Sequence, residues 1–125
     1  VLALSSISEA LPLVILEAQA AGLPVVATDV GACRELLEGR GPEDRALGPS
    51  GLLTAIADPQ EMASALVRLL RDPALRARLA AAGAARVGRY YRQSDIIERY
   101  RALYRQHIEA DPAAVAAAGA AGAGS

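Results

Sequence analysis

Between Pro12 and Thr28 an apolar stretch of helical length, a glycine and proline break, and a short β-branched run follow one another without a gap. Few folds accommodate that order. Pro12–Ala21 carries only two polar side chains, Glu17 and Gln19, and reads as a helix with Pro12 as its first residue. Gly22 suits a left-handed cap, and Pro24 blocks continuation of the helix. Val25–Thr28 then reads as a buried strand. Val1–Leu4 predicts a strand before it, Ser5–Leu11 a loop, Asp29–Ala32 a turn and Cys33–Glu38 a short helix. Gly39–Ser50 reads as surface loop and Gly51–Ala55 as a third strand. Strands alternating with helices predict an α/β fold, a partial Rossmann-like parallel sheet with right-handed crossovers and flanking helices.

The second half reads as helix. Asp58 caps, Pro59 opens the helix and Glu61 closes a capping box. Met62, Ala65, Leu66, Leu69 and Leu70 then share one face. Asp72-Pro73 repeats the device ahead of Leu75, Leu79 and Ala82, in a helix expected to reach Val87 despite Gly83. Gly88–Gln93 is a joint, and Ser94 caps a last helix with a stripe of Ile97, Tyr100, Leu103/Tyr104 and His107/Ile108. From Ala110 the chain is Ala/Gly repeat, which buries too little apolar area to offset its ordering entropy. The expected organisation is a partial α/β domain over 1–109 and a disordered tail over 110–125. Val1–Leu4 begins without a polar leader, which predicts a chain cut from a longer one.

Composition narrows the function classes. The net charge is −1 with 13 basic and 14 acidic residues, which gives no global pull toward nucleic acid. The Arg68/Arg71/Arg76/Arg78 group, with Arg86, Arg89 and Arg92 beyond it, reads as solvated helix faces without the aromatics of a single-strand surface. No apolar run approaches the ~20 residues of a membrane span. The single cysteine, Cys33, reads as helix packing and fits a reducing compartment. One His and one Cys cannot build a usual structural zinc site. Asp29 stands in no Asp-x-Asp pair, so no metal is expected.

Chemistry concentrates at Ser8–Glu17. Glu9 lies in the loop and Glu17 eight positions on, inside the helix, on one face with Leu13 and Ala20/Ala21. A carboxylate in so apolar a helix is expected to be partly buried and to need a partner. The helix start offers unpaired amides and the positive end of the helix dipole, which suit phosphate.

Ser8-Glu9-x-x-Pro12-x-x-x-x-Glu17-Ala18, followed by Ala21-Gly22-x-Pro24-Val25-Val26-Ala27-Thr28-x-Val30-Gly31, resembles the E-x7-E signature of the family 4 retaining glycosyltransferases, two-domain GT-B enzymes with nucleotide-sugar donors. Thr28–Gly39, with Tyr90-Tyr91-Arg92-Gln93 and Tyr100-Arg101-x-Leu103-Tyr104, looks closest to the Pel exopolysaccharide glycosyltransferases. The resemblance runs from about Val1 to Tyr104. It implies the donor-binding, C-terminal domain of such an enzyme. Glu9 would face the transferred sugar and stabilise charge at its anomeric carbon. Glu17 would accept hydrogen bonds from the ribose, and the Leu11, Leu13 and Val14 amides would meet the diphosphate and sugar. Ala10 departs from the glycine many members have after the first Glu, and its Cβ narrows the allowed backbone angles.

The resemblance further implies a UDP-linked donor, no cofactor, a polysaccharide acceptor bound through an N-terminal domain, a membrane-associated polysaccharide synthase complex and a cytoplasmic location. A chain without the acceptor domain, and without the basic pair usual for the diphosphate, is expected to show no turnover alone and weak donor binding at best. The alternative is a non-catalytic α/β module that binds a nucleotide or a protein.

Overall fold

The computed structural model describes residues 1–110, in two units, Val1–Tyr91 and the segment from Arg92 onward. In the first unit three short strands, β1 (Leu2–Leu4), β2 (Val25–Thr28) and β3 (Gly51–Thr54), pair in parallel in the order β1-β2-β3. Val25 stands opposite Leu2 and Gly51, and Thr28 opposite Thr54. The first crossover carries α1 (Leu13–Ala20), and the second carries α2 (Cys33–Glu38) and α3 (Pro42–Arg45). Two long helices follow β3, α4 (Pro59–Arg71) and α5 (Pro73–Tyr90).

The central strand is buried along its whole length because helices cover both faces of the sheet. Successive side chains of a strand point to opposite faces. Val25 and Ala27 accordingly join Ile15, Cys33, Leu36 and Leu37, while Val26 meets Leu69, Leu75 and Leu79. Both clusters contain no Phe or Trp, so branched aliphatic side chains fill the interior.

Helix ends follow the local chemistry. Gly22, at φ +68°, and Leu23 return hydrogen bonds to the carbonyls of Gln19 and Ala18 and close α1 in a Schellman turn. Asp58 accepts from the Glu61 amide and Asp72 from the Leu75 amide, both at 2.8 Å, with proline as the first helical residue in each case. The Glu61 carboxylate does not close the expected capping box. It reaches further back and accepts from the Ala55 amide at 2.6 Å, tying the end of β3 to α4. On α4, Leu70 is exposed, so the apolar face is narrower than its spacing implied.

Three further expectations need correction. Pro12 is the residue before α1 rather than its first turn, with ψ 96° outside the helical range. Gly39–Ser50 is not all surface, since it folds α3 and buries Asp44 and Ser50. Arg86 is no solvated side chain but 0% exposed, with its Nε 2.6 Å from Asp44 Oδ1. Arg76 also has a structural task, donating to the carbonyls of Leu69 and Leu70 at the end of α4.

The second unit contains α6 (Gln93–Ala110). The helix starts at Gln93, one residue before the expected cap. Ser94 therefore lies inside the first turn, where its hydroxyl donates to Asp95 at 3.2 Å. Ile97, Tyr100, Leu103 and Tyr104 are exposed. The side chains of His107 and Ile108, and the tail from 111, lie outside the described residues. No described helix is long and apolar enough to cross a membrane.

Candidate functional site

Ligands of open α/β sheets bind outside the carboxyl ends of the strands. Here that rim consists of the loop after β1, the turn after β2 and the segment after β3. Glu9 lies in the first of these, half-buried, and accepts a hydrogen bond from the Ser6 hydroxyl at 2.6 Å. The loop is held from β2. The buried Thr28 hydroxyl donates to the Ser6 carbonyl, and the Ala32 amide donates to the Ala10 carbonyl at 3.3 Å.

Gly31 makes the approach of these two segments possible. It sits at φ +51°, and a Cβ built there would lie 1.6 Å from the Glu9 carbonyl oxygen. Its role is thus more specific than a generic turn glycine, and Thr28 anchors the loop. Ala10 adopts no positive φ, so its Cβ introduces no backbone strain after Glu9.

The start of α1 carries the expected free donors. The Ile15 amide bonds back to the Pro12 carbonyl at 3.0 Å. The Leu11, Leu13 and Val14 amides meet no protein acceptor among the described residues, and Pro12 has none to offer. Leu11, Leu13 and Val14 also expose their side chains, Leu13 by 61%.

Glu17 departs from expectation. Its carboxylate is exposed and has no hydrogen-bond or ion-pair partner among the described residues. The polar residue that α1 buries is Gln19, which donates to the Leu36 carbonyl at 2.9 Å and to Ser50 Oγ at 2.7 Å. Leu13, Glu17, Ala20 and Ala21 do share a face, and it is the open one. An α-helix apolar nearly all round has no sequence phase that says which side turns inward, so the spacing was read correctly and the direction was not.

Beside the Glu9 loop lies an open, mostly apolar groove of about 430 Å3, lined by Ile7, Thr28, Ala55, Ala57, Met62 and Leu66 among others. No group of three His, Cys, Asp or Glu side chains with metal-binding spacing occurs among the described residues. Burial raises the Cys33 thiol above its usual range, and the charges of Glu9 and Asp29 add to the effect. It is packing, not a poised nucleophile. Asp29 pairs with Arg34, which also holds Glu38.

The chain is similar to known proteins over this region. A family model described as glycosyl transferases group 1 matches residues 1–72. A D-inositol 3-phosphate glycosyltransferase of Frankia alni is 49% identical over 63% of this chain and 17% of its own length. A phosphatidyl-myo-inositol mannosyltransferase of Mycobacterium leprae is 44% identical over 66% of this chain and 20% of its own. Among solved structures, sucrose-phosphate synthase from Thermosynechococcus elongatus superposes with a TM-score of 0.75 at 33% identity, over 86% of this chain and 25% of that one. The chain spans roughly a fifth of the length of the curated relatives it matches. The three-stranded parallel sheet with its flanking helices is a fragment of a GT-B Rossmann-like fold. With the family match covering more than half of its residues, the chain belongs to the group 1 glycosyl transferases.

Proposed function

We propose that this chain is the donor-binding part of a retaining hexosyltransferase and takes up a nucleotide diphosphate sugar at the mouth of α1. The observation that carries this reading is the cluster of Leu11, Leu13 and Val14 amides without protein acceptors, next to a loop that holds Glu9. Unpaired amides at a helix start meet phosphate oxygens with both their hydrogen bonds and the helix dipole. Glu9 acts on the transferred sugar, where a fixed carboxylate stabilises positive charge growing at the anomeric carbon. Glu17, exposed and unpaired, accepts from the ribose hydroxyls. This reading calls on no metal, because the free amides and the dipole at the helix start answer phosphate charge.

The donor is UDP-linked and the acceptor an exopolysaccharide in the reading that the Thr28–Gly39 block supports. The acceptor would be bound by an N-terminal domain, in a cytoplasmic enzyme working with a membrane-associated synthase complex. A second reading of the acceptor has its own support, since the relatives above are named for inositol 3-phosphate and phosphatidyl-myo-inositol.

Titration calorimetry of the chain with UDP, UDP-glucose, UDP-N-acetylglucosamine and GDP-mannose tests the proposal, with Glu17→Ala as the comparison. Binding of at least one nucleotide sugar that Glu17→Ala weakens is the expected result. Binding of none by the folded chain favours the non-catalytic module, and measurable turnover by the chain alone contradicts its reading as a donor-binding part only.

A further inference from the structure

The Glu9 side chain does not hang free in its loop. The Ser6 hydroxyl donates to Oε1 at 2.6 Å, in the range of short charge-assisted O–H···O bonds. Ser6 is held in turn, because the buried Thr28 hydroxyl donates to its carbonyl. On the other side of the turn, Gly31 lies against the Glu9 carbonyl and Ala32 binds the Ala10 carbonyl. The end of β2 and the turn after it thus fix the backbone on both sides of Glu9, and one hydroxyl fixes its side chain. Glu9 Oε2 has no protein partner among the described residues.

We infer that Ser6 is a positioning residue for Glu9: its hydroxyl holds one carboxylate oxygen and so presents the other to the hydroxyls of the transferred sugar. The inference rests on the reading of Glu9 as the sugar-facing carboxylate. A long glutamate side chain loses rotamer freedom when it binds, and a neighbour that has already selected one rotamer removes that cost from the binding step. A carboxylate with one oxygen already engaged also offers the ligand a single direction of approach. Ser6 touches no substrate in this arrangement and acts only through Glu9.

The test compares nucleotide sugar with nucleoside diphosphate, since Glu9 acts on the sugar alone. UDP-glucose is titrated against UDP, and GDP-mannose against GDP, and the ratio of the two Kd values measures the contribution of the sugar. The variants are Ser6→Ala, Ser6→Thr, Glu9→Ala and the Ser6→Ala/Glu9→Ala pair, each with its urea midpoint. Ser6→Ala is expected to lower the sugar ratio about tenfold while leaving diphosphate affinity and the midpoint in place. Ser6→Thr, which keeps the hydroxyl, restores the ratio. In the Glu9→Ala background Ser6→Ala has no further effect, because residues that act as a unit are not additive.

An equal loss from Ser6→Ala in both backgrounds, or no loss in either, overturns the positioning role and leaves the function of Glu9 intact. A sugar ratio that Glu9→Ala does not change, or the absence of any nucleotide-sugar binding, overturns the reading of Glu9 itself and the inference with it.

Discussion

Arg86 of α5 and Asp44 of α3, 42 positions apart, form an ion pair at 2.6 Å out of reach of solvent. The pair belongs to a buried polar cluster. Arg86 also donates to the Leu37 carbonyl at 2.9 Å, to Ser50 Oγ at 3.0 Å, and to the Asp44 and Gly48 carbonyls at 3.1 and 2.8 Å. All five guanidinium donors are used, which is the condition under which a buried arginine is tolerated. Ser50 passes the network on to Gln19 of α1, and Gly83 of α5 leaves room for it, since a Cβ there would lie 2.9 Å from Gln19 Cγ. The helix that carries the candidate site is thereby locked to the last helix of its unit.

Removing one member of that pair strands a buried charge. Asp44→Ala is expected to lower unfolding free energy by about 3–5 kcal/mol in urea titrations. Arg86→Lys should also destabilise, because one ammonium cannot reach five acceptors. The exposed Arg89–Glu43 pair serves as the control, and Arg89→Ala should change stability by less than about 1 kcal/mol.

Much of this arrangement was visible in the sequence, and the boundary has a physical cause. Val25–Thr28 and Cys33–Glu38 occupy the residues their composition implied, and Asp58-Pro59 and Asp72-Pro73 cap as read, because these signals are local. The free amides at the start of α1 were likewise legible as a pattern. Arg86 was not, because it sits among arginines at helical spacing and nothing near it in sequence marks it for burial. Its partner is in a segment that reads as loop. Ser6 and Thr28 escaped for the same reason, since only the parallel pairing of β1 with β2 brings the Thr28 hydroxyl to the Ser6 carbonyl.

Gly31 and Gly48 both stand at positive φ, yet substitution should separate them. At Gly48, φ +83°, an added Cβ meets nothing within 4 Å, so Gly48→Ala carries only the backbone term, about 1–2 kcal/mol. At Gly31 the same Cβ would collide with the Glu9 carbonyl, and the loop must move. Gly31→Ala should therefore cost more than Gly48→Ala in urea unfolding. Of the two, Gly31→Ala alone should speed amide hydrogen exchange across 5–11.

Glu17 stands apart from any stabilising contact, so its substitution isolates binding. Glu17→Gln should leave the urea midpoint unchanged and weaken nucleotide-sugar and nucleoside diphosphate binding together. A charge-assisted bond contributes about 1.5–3 kcal/mol, which corresponds to roughly a tenfold to hundredfold rise in Kd. Calorimetric titration reads both ligands. An unchanged Kd would remove Glu17 from the site.

Alkaline pH should destabilise this unit through Cys33. Burial is the main cause that raises its thiol above the ordinary value, with the Glu9 and Asp29 charges acting in the same direction. Below the unfolded-state pKa, about 8.5, both states hold the proton and the contribution is fully present. Above it, the unfolded chain releases the proton while the folded one retains it. The unfolded state then binds fewer protons, and stability falls as pH rises, by up to about 1.4 kcal/mol per pH unit until the folded thiol also ionises. Burial raises Tyr91 in the same direction, but its loss begins only above about 10. Urea midpoints measured from pH 7 to 10 should therefore fall more steeply for the wild-type chain than for Cys33→Ala between pH 8.5 and 10. Equal slopes would mean that the thiol meets solvent in the folded state. Labelling with a thiol reagent at pH 8 distinguishes the two cases directly, since a buried Cys33 reacts only as fast as the unit opens.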